Sequence, residues 1–71
     1  MHELPEGFAD TLARVIDPAQ REAAAGIIEA ATMLDDLGLR RFLQLFAARV
    51  RTSSEPVRAD ELRRFLQQAA L

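Results

Sequence analysis

A chain of 71 residues without cysteine has room for a single domain, 1–71, and cannot use disulfides, a thiolate zinc site or a cysteine nucleophile. So short a chain buries only about 60% of its unfolded surface, which makes its core small and favours reinforcement by a partner subunit. The net charge of −2 is unevenly spread: residues 1–39 carry eight acids and two Arg, a net −6, and residues 40–71 carry seven Arg and three acids, a net +4.

That asymmetry reads either as two solvated faces, or as a basic half that meets an acidic partner or pairs head to tail with a second protomer. Every basic residue is Arg and Ala occurs 13 times, a usage typical of a GC-rich bacterial or phage gene. No apolar run approaches the roughly 18 residues of a membrane span, and the N-terminus lacks the basic-then-apolar order of a signal peptide. The expectation is a cytoplasmic protein.

The first helical segment, 5–16, places Phe8, Leu12, Val15 and Ile16 on one face. Asp17-Pro18 then marks a start: Asp suits the cap, Pro the first helical position, and Gln20 stands three residues after the cap as a capping-box variant. A second helix over 18–37 follows, with Ala23, Ile27, Ala30, Leu34 and Leu37 in one phase.

Gly38 punctuates next. At the position just past a helix end it would let Leu39 touch Leu34, and a new apolar stripe of Leu39, Leu43, Phe46 and Val50 begins there. The spacing therefore predicts a third helix over 39–51, although an Asp36–Arg40 pair would also suit one unbroken helix through this region.

Thr52-Ser53-Ser54-Glu55-Pro56 is a polar loop. Beyond it Asp60 and Glu61 favour a helix first turn, over 59–70, with Val57 reaching Leu62 as a staple across an Arg58 cap. Leu62, Phe65, Leu66 and Ala69 form its apolar face. No segment alternates in the manner of a strand. The fold class is all-α, a small bundle of three to four short helices, expected to be dimeric. Its expected core is Phe8, Leu12, Ile27, Leu34, Leu43, Phe46, Leu62, Phe65 and Leu66.

Little in the chain supports catalysis. His2 is the lone histidine, no carboxylate pair flanks it, and Asp35-Asp36 lacks the spaced oxygens of a calcium loop. Ser53 and Ser54 are far in sequence from any base, and Gly7, Gly26 and Gly38 do not cluster as phosphate loops require. The reading is therefore of a non-enzyme with no cofactor and no metal.

Two features point to a binding role. Leu39, Phe42, Leu43, Leu45, Phe46 and Val50 cover more than one stripe of their helix, with Leu45 turned away from the rest, which suits a helix central in its bundle or at an interface. Asp35-Asp36 and Arg40-Arg41 flank Gly38 on the unfavourable ends of two helix dipoles, as mutual partners or as a charged contact point. The expected partner-binding set is Leu39, Arg40, Arg41, Phe42, Leu45, Arg49, Asp35 and Asp36. The function so read is a non-catalytic protein–protein interaction module, a small docking, adaptor or regulator domain that binds itself as a homodimer on helix 39–51, a hetero-partner, or both.

The alternative is a small DNA-binding regulator with a helix-turn-helix-like element. Val57 to Leu66 resembles the first helix of such a unit, but no recognition helix follows in the sequence. Net acidity further disfavours nucleic acid. Membrane-surface binding through Arg40, Arg41, Arg49 and Arg51 is weaker still.

Overall fold

The computed structural model describes residues 4–70, and over them the protein is all-helical. Its helices are α1 (Phe8–Val15), α2 (Arg21–Ala31), α3 (Asp36–Thr52) and α4 (Ala59–Ala69), with a 3-10 turn (Pro18–Gln20) leading into α2.

Helix α1 begins at Phe8, the first of its apolar positions and three residues after the expected start at 5. Gly7 holds a left-handed φ of +85° at its N-cap, a conformation that a residue with a Cβ resists. Pro5 through Gly7 therefore form a turn, in which the Phe8 N–H donates to the Pro5 carbonyl. After Val15 the chain becomes extended. The Asp17 N–H donates to the Val57 carbonyl at 2.8 Å and the Val57 N–H to the Val15 carbonyl at 2.7 Å, an isolated parallel bridge between Ile16 and Val57.

The Asp17-Pro18 start forms as its chemistry dictates. Asp17 Oδ1 accepts the Ala19 N–H at 3.0 Å and Pro18 fills the first position of the turn. Gln20 does not close a capping box on its own helix; its side chain goes to α4.

The larger correction lies at the α2–α3 boundary. Helix α2 ends at Ala31, and its last turn tightens as the Met33 and Leu34 amides donate three residues back, to Ala30 and Ala31. Asp35 is then the N-cap of α3: its backbone is extended and its Oδ1 accepts the Gly38 N–H at 2.7 Å. The change of apolar phase is real, but a capping Asp sets it rather than a terminating Gly. Gly38 is the third residue of α3, and it is buried. A Cβ there would stand 3.1 Å from Leu34 Cβ and from Asp35 Oδ1, and 3.4 Å from the Ala69 carbonyl oxygen. This glycine serves close approach, and the C-terminal ending expected around it does not form.

Helix α4 starts at Ala59 with Arg58 as N-cap, and the Glu61 carboxylate accepts the Arg58 N–H at 3.0 Å. Val57 and Leu62, on either side of that cap, are both fully buried, which is where a hydrophobic staple puts them.

Helix α4 packs against both α2 and α3, while α1 is the most peripheral helix. Phe42, Leu62 and Val57 are the largest fully buried side chains. Of the expected core, Phe8, Ile27, Phe46 and Leu62 are buried, and Leu12, Leu34, Leu43, Phe65 and Leu66 pack half-buried around them. The remaining core is made by Leu39 and Phe42 of α3, by the bridge residues Ile16 and Val57, and by four small residues, Ala24, Ala31, Ala59 and Ala69. Phe8 reaches α3 through a tilted ring contact with Phe46 at 5.1 Å between centroids. No helix among the described residues is long and apolar enough to cross a membrane.

Candidate interaction surface

Helix α3 turns one face inward. Gly38, Leu39, Phe42 and Phe46 recur at three- and four-residue spacing and form its buried face. Leu39 is 6% exposed and Phe42 is fully buried, so these two members of the expected partner-binding set belong to the core of the folded chain. Both are covered within the fold, which leaves neither on the outer face.

Arg49 is likewise occupied within the fold. Its Nε donates to Glu61 Oε1 at 2.6 Å, and its terminal nitrogens reach the carbonyls of Ser53, Glu55 and Pro56 at 3.2–3.4 Å. The guanidinium thus fastens the 53–56 loop to both α3 and α4. The hydrogen bond from Arg49 holds the Glu61 carboxyl below the usual carboxylate range against the opposing effect of burial, and the same bond holds Arg49 more firmly charged.

Five residues of the expected set remain toward the outside. Asp35 and Asp36 stand at the N-cap and first position of α3, the positive end of its dipole. That reverses the expectation, in which they closed the preceding helix against its dipole. Arg40 and Arg41 are exposed on the second turn of α3. Leu45 is half-buried at the edge of α3, beside Arg41, Gln44 and the α4 residue Gln68.

Two residues absent from that set complete the surface. Met33 is 72% exposed and Leu37 is 53% exposed, the large apolar side chains most open to solvent among the described residues. Both line one depression of about 340 Å³ with Leu34, Gly38, Arg41 and Ala69. Their exposure follows from the Asp35 cap. In an unbroken helix over 18–37, Leu37 continues the buried phase of Ile27 and Leu34. Once α3 restarts at Asp36, Leu37 lies about 140° around the helix from Phe42. The signal for it in the sequence is Asp35 as a helix cap, which Gly38 three residues later obscures as a second possible boundary.

The surface is therefore an exposed apolar pair in the α2–α3 corner, with acid before Leu37 and two guanidiniums one turn after it. Larger clefts also flank α3. One, of about 460 Å³, lies between the N-terminal turn and α3 and is lined mainly by Pro5, Phe8, Leu43, Phe46 and Val50. The other, of about 430 Å³, lies over the loop that Arg49 fastens. Among the described residues no three His, Asp or Glu side chains gather as metal ligands, and His2 lies outside those residues.

No family model, curated protein or solved structure matches the chain significantly.

Proposed function

We propose that the protein is a non-catalytic protein-interaction module that binds through the α2–α3 corner and the outer face of α3. The observation that carries this reading is the exposure of Met33 and Leu37, side by side on a domain too small to spare apolar surface. Arg40 and Arg41 beside them supply planar donors for carboxylates, so the patch joins an apolar centre to a charged rim, the usual anatomy of a protein contact. The partner is another protein, either a second copy or a hetero-partner. Leu45, half-buried at the α4 side, extends the patch along α3.

The spacing of α2 and α3 around a four-residue connection gives the DNA-binding alternative some support. Against it, Asp35 and Asp36 stand at the end of α3 that would approach a phosphate backbone, where they repel it.

The test is affinity capture from the producing cell with the wild-type chain and with the Met33→Ser plus Leu37→Ser variant. A partner held by the wild type and lost by the folded variant supports the module. Equal capture by both overturns this surface, and a mobility shift with DNA that fades steeply with salt and disappears in Arg40→Ala plus Arg41→Ala promotes the alternative.

A further inference from the structure

We infer that α1 is an exchangeable strap: it opens as a unit on a hinge at residues 15–17, and the seat it leaves takes α1 of a second copy, so that two chains join by swapping this helix. The inference concerns a surface other than the α2–α3 corner and stands whether or not that corner binds. It starts from how little holds α1 down. Its eight residues bury one side chain, Phe8, whereas α2 and α4 bury three each and α3 four. Among the described residues no side chain of α1 takes part in a hydrogen bond or ion pair, while α4 is tied to Gln20 and Arg49. A helix of eight residues is also shorter than the roughly 12–15 that hold together alone in water, so it loses its turns when it leaves its seat.

The packing around α1 is open on three sides. A cleft of about 160 Å³, lined by Leu12 and Ala24 among others, separates it from α2. The apolar cleft of about 460 Å³ lies between its N-terminal turn and α3, and the cleft of about 430 Å³ borders its last turn and the 53–56 loop. Its firm contacts are at the two ends. Phe8 rests on Phe46 at one, and the Ile16–Val57 bridge ties the chain at the other. That bridge is made by backbone groups, so it stays closed as the hinge while Phe8 swings away.

The opened strap leaves an apolar trough with Phe46 at its floor and Leu43 and Val50 along one wall. The side chains that fit this trough are those of α1 itself, Phe8, Leu12 and Val15, and a second copy carries them at the same spacing. A swapped helix restores the contacts the closed chain loses, so protein concentration decides between the two forms. An unrelated helix would have to reproduce both the Phe8–Phe46 contact and the packing of Leu12 and Val15 to displace α1. The closed α1 competes for its own seat, so a helix offered in trans binds only the open fraction, and its apparent affinity falls by that fraction.

Native-state hydrogen exchange on the full chain reads the opening. The amides of residues 12–16, bonded within α1, should exchange about tenfold or more faster than those inside α2 and α4, and one common rate for all three helices overturns the strap. A dansyl-labelled peptide of residues 5–15 stands in for α1 of a second copy. It should bind the full chain, about tenfold or more tighter when the chain carries Phe8→Ala and its own α1 is loosened, and about tenfold weaker when the peptide carries Phe8→Ala. Met33→Ser plus Leu37→Ser in the chain should leave that binding unchanged. A peptide that fails to bind, or that is lost with the corner residues, overturns the seat. Where Phe8→Ala abolishes the helical circular dichroism of the whole chain, the wild-type exchange rates and titration decide. Sedimentation equilibrium then tests the swap: the wild type and the Met33→Ser plus Leu37→Ser variant should both move from 7.9 kDa toward twice that mass at millimolar concentration. A wild type that stays at 7.9 kDa overturns the swap. A dimer lost in the corner variant also overturns it, and assigns self-association to the α2–α3 surface of the earlier reading.

Discussion

The Gln20 side chain makes no cap on its own helix start; its oxygen instead accepts the backbone N–H of Ala59, 39 residues away, at 3.1 Å. Ala59 is the first residue of α4, and its N–H is one of the groups a helix start leaves without an internal acceptor. The Ile16–Val57 bridge lies just before both residues in sequence, so the entry to α2 and the entry to α4 are held together by three hydrogen bonds. Two chain segments distant in sequence thereby set the register in which α2 packs on α4.

Removing that acceptor should be felt globally. Gln20→Ala is expected to lower unfolding stability by about 1 kcal/mol, the typical worth of a partly buried hydrogen bond. Gln20→Glu, which keeps an acceptor beside the positive end of α4, should retain most of it. Urea denaturation followed by circular dichroism reads the difference. A Gln20→Ala midpoint equal to the wild type would show that solvent replaces the bond without cost.

The Arg49–Glu61 pair should make stability depend on pH at the acid end. Glu61 is held below its ordinary value, chiefly by the hydrogen bond from Arg49, so the native state binds its proton more weakly than the unfolded chain does. The contribution is thus present in full above the unfolded carboxylate value of 4.5 and is lost as pH falls through the lower folded value. Glu61→Gln should cost about 1–2 kcal/mol at neutral pH, between an exposed ion pair and a buried charged hydrogen bond, and should flatten that part of the acid limb. Thermal melts from pH 7 to pH 3 on both chains check this; parallel profiles would assign the acid sensitivity elsewhere.

The two helical glycines should respond in opposite ways to the same substitution. Gly26 lies within α2 with nothing within 4 Å of an added Cβ. Gly26→Ala should therefore stabilise by about 0.5–1 kcal/mol, a rise in Tm of roughly 2–8 °C in a domain of this size. Gly38→Ala forfeits that gain, because the new methyl meets Leu34 and the end of α4 at 3.1–3.4 Å. It should be neutral or destabilising. Calorimetry on the pair tests the crowding of Gly38 by Leu34 and Asp35, and equal stabilisation by both would mean that the α2–α3 corner gives way readily.

Phe42 and Leu37, five residues apart on α3, should separate folding from binding. Phe42→Ala empties a fully buried site and should cost about 3–5 kcal/mol, enough to unfold so small a domain at ambient temperature. Leu37→Ser acts at a site 53% exposed, so it should leave the melt within about 0.5 kcal/mol of the wild type. A large loss of stability in Leu37→Ser would place that side chain in the core and remove it from the interaction surface.

The sequence by itself determined that the chain is helical, because apolar residues recur at three and four positions throughout and never alternate. It also located the starts at Asp17-Pro18 and Arg58 and the loop ending in Pro56, since these depend on local chemistry between neighbours: a carboxylate near an amide, a ring that fixes φ, a staple across a cap. The α2–α3 boundary was misplaced by a few residues because Asp35 and Gly38 both offer a helix boundary, one as a beginning and the other as an end. The fold chose between them: Asp35 Oδ1 takes the Gly38 N–H, and Leu34 and Asp35 crowd the place of a Gly38 Cβ at 3.1 Å, so the glycine serves inside α3. That choice placed Leu37 in α3, on the side away from Phe42, and the neighbouring helices cover Leu39 and Phe42, so the candidate surface changed with it. The reach of Gln20 to Ala59 and the grip of Arg49 on Glu61 and the 53–56 loop were likewise decided in three dimensions. Spacing along a helix specifies which side chains share a face, whereas which face is covered depends on the neighbour that arrives to cover it.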